Sequence, residues 1–244
     1  MDSDGDWSTL GICFWDWGLT AEHWVKKLVK KGFLIVLAII FILASGSLLR
    51  GQDEGIIRGV VMEGRLGFFR PIQFADSFRA VFDSAGGMVL GTGVRVELPK
   101  NIYVEGALDY FNKDGYRVYV AGTEAVRTDI DTSISIIPFT FTGGYRFKLK
   151  PSLIPYVGGG FGRYYFKQKD IATELKGESS FKGHAGYHLL GGVEFRADRP
   201  ISFAGELKWN TVPGAIGEGG VSKYYEENNI GGISISFKVL FRLK

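Results

Sequence analysis

The chain has 244 residues, and its 29 basic and 26 acidic side chains leave a formal net charge of only +3, which excludes the strong basic surplus of a nucleic-acid-binding domain. A single cysteine, Cys13, excludes an intrachain disulfide and a cysteine-built metal site. The 35 glycines are about twice the usual share of roughly 7%, and with 19 Phe, 11 Tyr and only 7 Pro they favour a curved sheet over a helical bundle or a collagen-like repeat.

Residues 1–24, with Trp7, Trp15 and Trp17 among several Asp, fit neither a leader nor a strand and read as an over-extended start, with initiation expected at Val25. Residues 25–46 then follow as a secretory signal peptide. Lys26, Lys27, Lys30 and Lys31 are its basic leader, residues 33–43 an unbroken apolar run, and Ala44 and Gly46 the small residues before cleavage. The alternative is an uncleaved anchor reaching Leu49, which at roughly 18 residues is at the short end for a spanning helix. No cysteine follows the run, so a lipoprotein anchor is excluded. Residues 47–59 are expected to be a periplasmic segment and 60–244 the folded domain.

Beyond residue 60 no window carries a convincing helical period, and an alternation of two recurs instead. It predicts eight strands near 60–70, 87–98, 101–112, 131–148, 153–167, 183–197, 200–211 and 230–242. Three connections are tight, around 99–101, 149–152 and 197–200. Four are long and polar: 71–86, 113–130, 168–182 and 212–229. Long and short alternate, so an up-and-down sheet gathers all turns at one end and all loops at the other. That is the layout of a membrane barrel with short periplasmic turns and longer outer loops. The fold class expected is all-β, an eight-stranded antiparallel up-and-down transmembrane β-barrel preceded by a signal peptide. In the fourth strand Ile134 and Ile136 stand on one parity and Ile137, Phe139 and Phe141 on the other, so Pro138 is expected to mark a bulge. The fifth strand has aromatics on both parities and takes no orientation.

The polar face collects Glu63, Glu97, Glu105, Asp109, Glu194 and Glu206 against Arg65, Arg95, Arg146, Arg196, Lys208, Lys238 and Arg242. An eight-stranded barrel is just wide enough to be filled by side chains, and buried charges are tolerated when paired. These thirteen residues are therefore expected to form an interior ionic network, with Arg196 and Glu206 as neighbours across the turn at 197–200. Val193, Phe195, Ile201, Phe203, Leu207 and Trp209 would then face lipid. A soluble lipocalin-like barrel inverts the faces and explains the alternation equally well, but not the segregation of loops.

The segments LIPYVGGG at 153–160, GYHLLGGVEF at 186–195 and FAGELKW at 203–209 resemble the small outer-membrane β-barrels, above all the outer-membrane protein W type and its eight-stranded porin-family relatives. GRLGFFRP at 64–71 and GTGVRVELPKNIYVEGALDY at 91–110 are compatible with the first three strands of that family. The resemblance covers roughly residues 60–244 and implies a bacterial outer-membrane location, with membrane lipid and the barrel-assembly machinery as partners. Family members end in an aromatic residue that the machinery reads, whereas here Phe241 stands three residues before the end.

Little in the chain points to chemistry. Gly158, Gly159, Gly160 and Gly162 lie within a strand with no helix following, so they read as structural rather than phosphate-binding. His184 and His188 share one strand face, about 13 Å apart at the usual rise, too far to share a metal. Some barrel enzymes acting on lipid use His with Ser and an acid, but Ser179 and Ser180 fall in a predicted loop. The expectation is a monomer without enzymatic activity, metal or other cofactor, serving a structural or adhesive role or the passage of a small apolar solute. An extracellular ligand at the long loops is the remaining partner. The alternatives are an outer-membrane lipid-modifying enzyme and a soluble periplasmic binding barrel.

Overall fold

The computed structural model describes residues 57–121, 124–150, 152–170, 179–197, 199–218 and 220–243. The predicted extension, signal peptide and most of the periplasmic segment lie outside these residues. Eight strands run in chain order: β1 (Gly59–Pro71), β2 (Gly87–Glu97), β3 (Ile102–Ala121), β4 (Glu124–Arg146), β5 (Leu153–Asp170), β6 (Ser179–Phe195), β7 (Ile201–Thr211) and β8 (Gly232–Leu243). Each pairs antiparallel with the next, and β8 returns to β1 with Leu66 opposite Phe237, so the sheet closes without an edge.

The alternation decides the faces. On β1, Met62, Leu66 and Phe68 are exposed while Glu63 and Arg65 are buried; on β7, Ile201 and Leu207 are exposed while Ser202, Glu206 and Lys208 are buried. The apolar belt is outside and the charges are inside, the reverse of what a soluble binding barrel needs. β5 takes a definite orientation, with Tyr156, Tyr164 and Phe166 buried and Val157 and Phe161 exposed.

Three features of the predicted pattern are corrected. Pro138 marks no bulge: the β3–β4 ladder breaks after Leu108↔Phe139 and resumes at Phe111↔Ile136 in the same register. Proline has no N–H to donate, so pairing lapses there without an inserted residue. Ile134 and Ile136 simply face inward. Nor is 113–130 a loop. β3 and β4, of 20 and 23 residues, continue as a hairpin past the 9–11 residues or so that a tilted strand needs to span a bilayer. The one register shift of that ladder falls within this extension, between Tyr116 and Val118. Ser179 and Ser180, predicted in a loop, begin β6.

Among the described residues two helices interrupt the loop end: α1 (Ala75–Phe82) in the β1–β2 connection and the short α2 (Gly220–Tyr224) in the β7–β8 connection. The sequence pattern missed α1. Its residue before the first turn, Phe74, offers no side-chain cap, and Glu227 from the β7–β8 loop accepts instead from the N–H groups of Asp76 (3.1 Å) and Ser77 (3.0 Å). At the other end Arg127 of β4 donates to the carbonyls of Arg79 and Ala80. An acid at the N-terminus and a base at the C-terminus both suit the helix dipole. The opposite rim has tight turns: a 3-10 turn at Pro99–Asn101, and connections at 147–152 and 196–200.

Candidate functional site

Twelve of the thirteen predicted interior charges face the lumen, and ion pairs tie them across it. Nearest the turns, Arg146 reaches Glu97 (2.7 Å) and Glu194 (2.8 Å), and Arg242 reaches the same two acids at 2.8 and 3.0 Å. At mid-height Arg65 bonds Glu63 and Glu105, Arg95 bonds Glu105 at 3.2 Å, and Lys238 pairs with Glu206. Higher again, Lys208 lies 2.7 Å from Asp109. Ser202 donates to Glu194 and Tyr156 to Glu206, using remaining acceptor capacity.

Arg196 is the exception. It is exposed in the β6–β7 turn with φ 56°, so the outward bend of the chain takes it away from the parity of its strand. The partner of Glu206 is Lys238 and not Arg196.

Arg95 is fully buried against the rings of Tyr103 and Tyr156, each 5.0 Å from its guanidinium carbon. The two rings meet edge to face with centres 6.1 Å apart, a corner that desolvates the cation and turns negative π density towards it. Glycine makes the room. A Cβ on Gly144 would stand 2.4 Å from the Tyr103 ring, and one on Gly192 2.5 Å from that of Tyr156.

Above the charges the lumen turns apolar. Phe69, Phe111, Ile136, Tyr164 and Phe166 from the strands meet Phe74, Phe78 and Phe82 from α1 and its entry. Phe78 lies 4.6 Å from Phe82 and 5.7 Å from Phe74, ring centre to ring centre. Between this cluster, α2 and the extended hairpin lies a cavity of about 650 Å³, lined by Phe74, Phe78, Val81, Phe82, Phe166 and Ile216 on its apolar side and by Ser77, Arg117, Thr132, Gln168, Ser222 and Lys223 among its polar groups. The sequence did carry one trace of it: Phe74, Phe78 and Phe82 recur at intervals of four, the spacing of one helix face.

His188 is buried on β6 with Nε2 2.8 Å from Thr142 Oγ1, and His184 also points inward. Among the described residues no cluster of His, Cys, Asp and Glu is arranged to hold a metal. Outside the membrane-spanning part, Lys182 lies 2.8 Å from Glu218, and its hydrogen bond and charge hold that carboxyl below its ordinary pKa range.

No protein-family model matches the chain, and no curated protein sequence does. Among solved structures, a major outer membrane protein from Thermus thermophilus aligns over 76% of this chain and 98% of its own, with TM-score 0.52 and 12% identity. This chain has the fold of the small eight-stranded outer-membrane β-barrels. Neisserial surface protein A (TM-score 0.47, 13% identity, 75% of this chain and 97% of that one) is a further similar structure. So is the N-terminal barrel domain of Pseudomonas aeruginosa OprF (0.42, 12%, 76% and 100%). Similarity at this identity speaks to the fold and leaves function to the side chains.

Proposed function

We propose that this chain is a monomeric protein of the bacterial outer membrane, closed to through-flow and without enzymatic activity or cofactor, that holds a small apolar solute at its loop end. The observation that carries this reading is the cavity of about 650 Å³ walled by α1 phenylalanines above a lumen crossed by ion pairs. Ligand pockets run to roughly 300–1,000 Å³ and are lined mainly by apolar and aromatic side chains with a few polar groups. A solute entering from the loops meets charges beneath it, whose separation leaves each without its partner, so it returns or leaves sideways rather than passing through. What supports the non-enzymatic reading is the pairing of His188 with a threonine rather than a nucleophilic serine.

The test is titration of the purified, detergent-folded protein with N-phenylnaphthylamine, an apolar fluorophore. Saturable binding is expected, weakened about tenfold (about 1.4 kcal/mol) by a charge at the cavity wall in Val81→Glu, with heat-modifiable migration unchanged. Absence of saturable binding, or binding indifferent to Val81→Glu in the folded barrel, overturns the reading. A second reading, contact with another surface, is favoured by exposed Tyr116, Tyr119 and Val126 on the projecting hairpin. It predicts that shortening the hairpin abolishes cell attachment while leaving fluorophore binding intact.

A further inference from the structure

The turn end of the barrel carries a feature that solute binding at the loop end does not use. Arg58 ahead of β1, Lys100 in the β2–β3 turn, Lys148 and Lys150 in the β4–β5 turn and Arg196 in the β6–β7 turn are all exposed. The strand order brings these turns to one rim, and backbone hydrogen bonds join them. Arg196 N–H donates to Ser152 (2.7 Å), Arg242 N–H to Pro200 (2.8 Å) and Arg58 N–H to Glu97 (2.8 Å). Residues 98–101, 147–152 and 196–200 contain one acid, Asp198, which Arg199 offsets in the count. Glu97, closing β2 at this end, is already held by Arg146 and Arg242. The loop end is the opposite: segments 72–86, 113–131, 168–182 and 212–231 hold twelve acids against eight cations.

The cations do not stand alone. Ile57 precedes Arg58, Ile102 follows Lys100 by two residues, and Phe195 precedes Arg196, each an exposed apolar side chain. Leu149, 73% exposed, sits between Lys148 and Lys150. A soluble polyanion gives such apolar side chains nothing to enter. A bilayer does: the apolar group takes the hydrocarbon, the neighbouring Lys or Arg stem lies along it, and the charged head stays in the phosphate layer.

We propose that this rim binds anionic phospholipid headgroups, selecting phosphatidylglycerol-like lipids in the leaflet it faces and so fixing which end of the barrel meets that leaflet. The inference rests on the membrane-spanning reading. Attraction of a cationic surface to anionic headgroups falls off within a Debye length and weakens with salt.

The experiment uses the full chain folded into phosphatidylcholine vesicles carrying trace spin-labelled phosphatidylglycerol or phosphatidylcholine, and reads the motionally restricted fraction of each. A preference for phosphatidylglycerol of about two- to fivefold at low salt is expected, falling towards unity at high salt. It should also fall towards unity in Lys148→Gln/Lys150→Gln/Arg196→Gln. Lys148→Arg/Lys150→Arg should retain it, as should the loop-end control Arg79→Gln/Lys113→Gln. No preference in the inserted wild type, or equal loss in the loop-end control, overturns the proposal. So does turn-cation-dependent binding of soluble polyphosphate without a headgroup preference, which would make the partner a soluble polyanion. Failure of the chain to enter vesicles at all is a different result, and overturns the membrane reading itself.

Discussion

Lys208 on β7 places its Nζ 2.7 Å from Oδ2 of Asp109 on β3, and these strands stand four apart whichever way the barrel is followed. The pair therefore spans the lumen. Arg95 on β2 and Glu194 on β6, also four strands apart, approach to 3.5 Å. On the reading proposed above, charges that meet across a diameter close the lumen to a continuous water column. The unmodified protein is accordingly expected to give no steady conductance in planar bilayers, only small or flickering events. A stable porin-like current would refute the closed lumen. Removing one partner of a buried pair typically costs about 3–5 kcal/mol, because the other is left uncompensated. Asp109→Ala should thus unfold at markedly lower urea, and adding Lys208→Ala should recover part of the loss.

Room for the central arginine depends on glycine. Gly144→Ala would set a methyl 2.4 Å from both the Tyr103 ring and the Val157 carbonyl, and the carbonyl belongs to a paired strand that cannot retreat. Overpacking of this kind costs about 1–3 kcal/mol. Gly143, one residue earlier, faces outward with nothing within 4 Å of an added Cβ. A folding titration should therefore separate Gly144→Ala from Gly143→Ala, and equal effects would contradict the face assignment.

The outer belt makes its own prediction. Phe203 and Phe237 stack on adjacent strands with ring centres 5.8 Å apart and look outward. Arginine at either position should destabilise the folded barrel in lipid by about 2–4 kcal/mol if it lies near the bilayer midplane. Ser236→Ala, on the inward parity, should change folding in lipid by less than about 1 kcal/mol, the ordinary net worth of a hydrogen bond. Vesicle-refolding titrations in urea measure both. An equal penalty on the two parities would favour the inverted, soluble barrel.

Strand parity was legible in the sequence because membrane and lumen impose opposite chemistries on successive residues. Where that contrast ends, legibility ends with it. Past Asn112 the β3–β4 ladder continues to Ala121 opposite Glu124 while the apolar–polar alternation fades, so a paired extension reads as a loop. Parity carried one residue past β6 points Arg196 inward, but the left-handed backbone of the turn breaks that parity. Aromatics on both parities, Tyr156 and Tyr164 against Phe161, blur β5 in the sequence because they suit both lipid and lumen; burial of the two tyrosines, and the bond from the Tyr156 hydroxyl to Glu206, show which way the strand faces. The apolar upper lumen lies beyond the expected ionic residues, and part of it was out of reach of strand parity because α1 brings its phenylalanines from a connection to meet Phe69, Phe111 and Phe166 of the strands.

The helix α1 was illegible for a further reason, and it yields the last prediction. A helix of eight residues is marginal alone, and this one begins without a capping side chain of its own. Its N-terminal donors are satisfied by Glu227, some 150 residues away in sequence, so no local capping residue marks where it begins. Loss of an N-cap acceptor costs typically about 1 kcal/mol. Glu227→Ala should therefore loosen α1 without unfolding the barrel: backbone amides of Ser77 and Phe78 exchange faster, while heat-modifiable migration is unchanged. Phe78→Ala removes a ring at the centre of the loop-end cluster and should cost more, about 3–5 kcal/mol, the range for burying and then deleting an aromatic side chain. If α1 is instead held by its own propensity, Glu227→Ala leaves exchange at Ser77 and Phe78 as it was, and the latch from the β7–β8 loop has no energetic role.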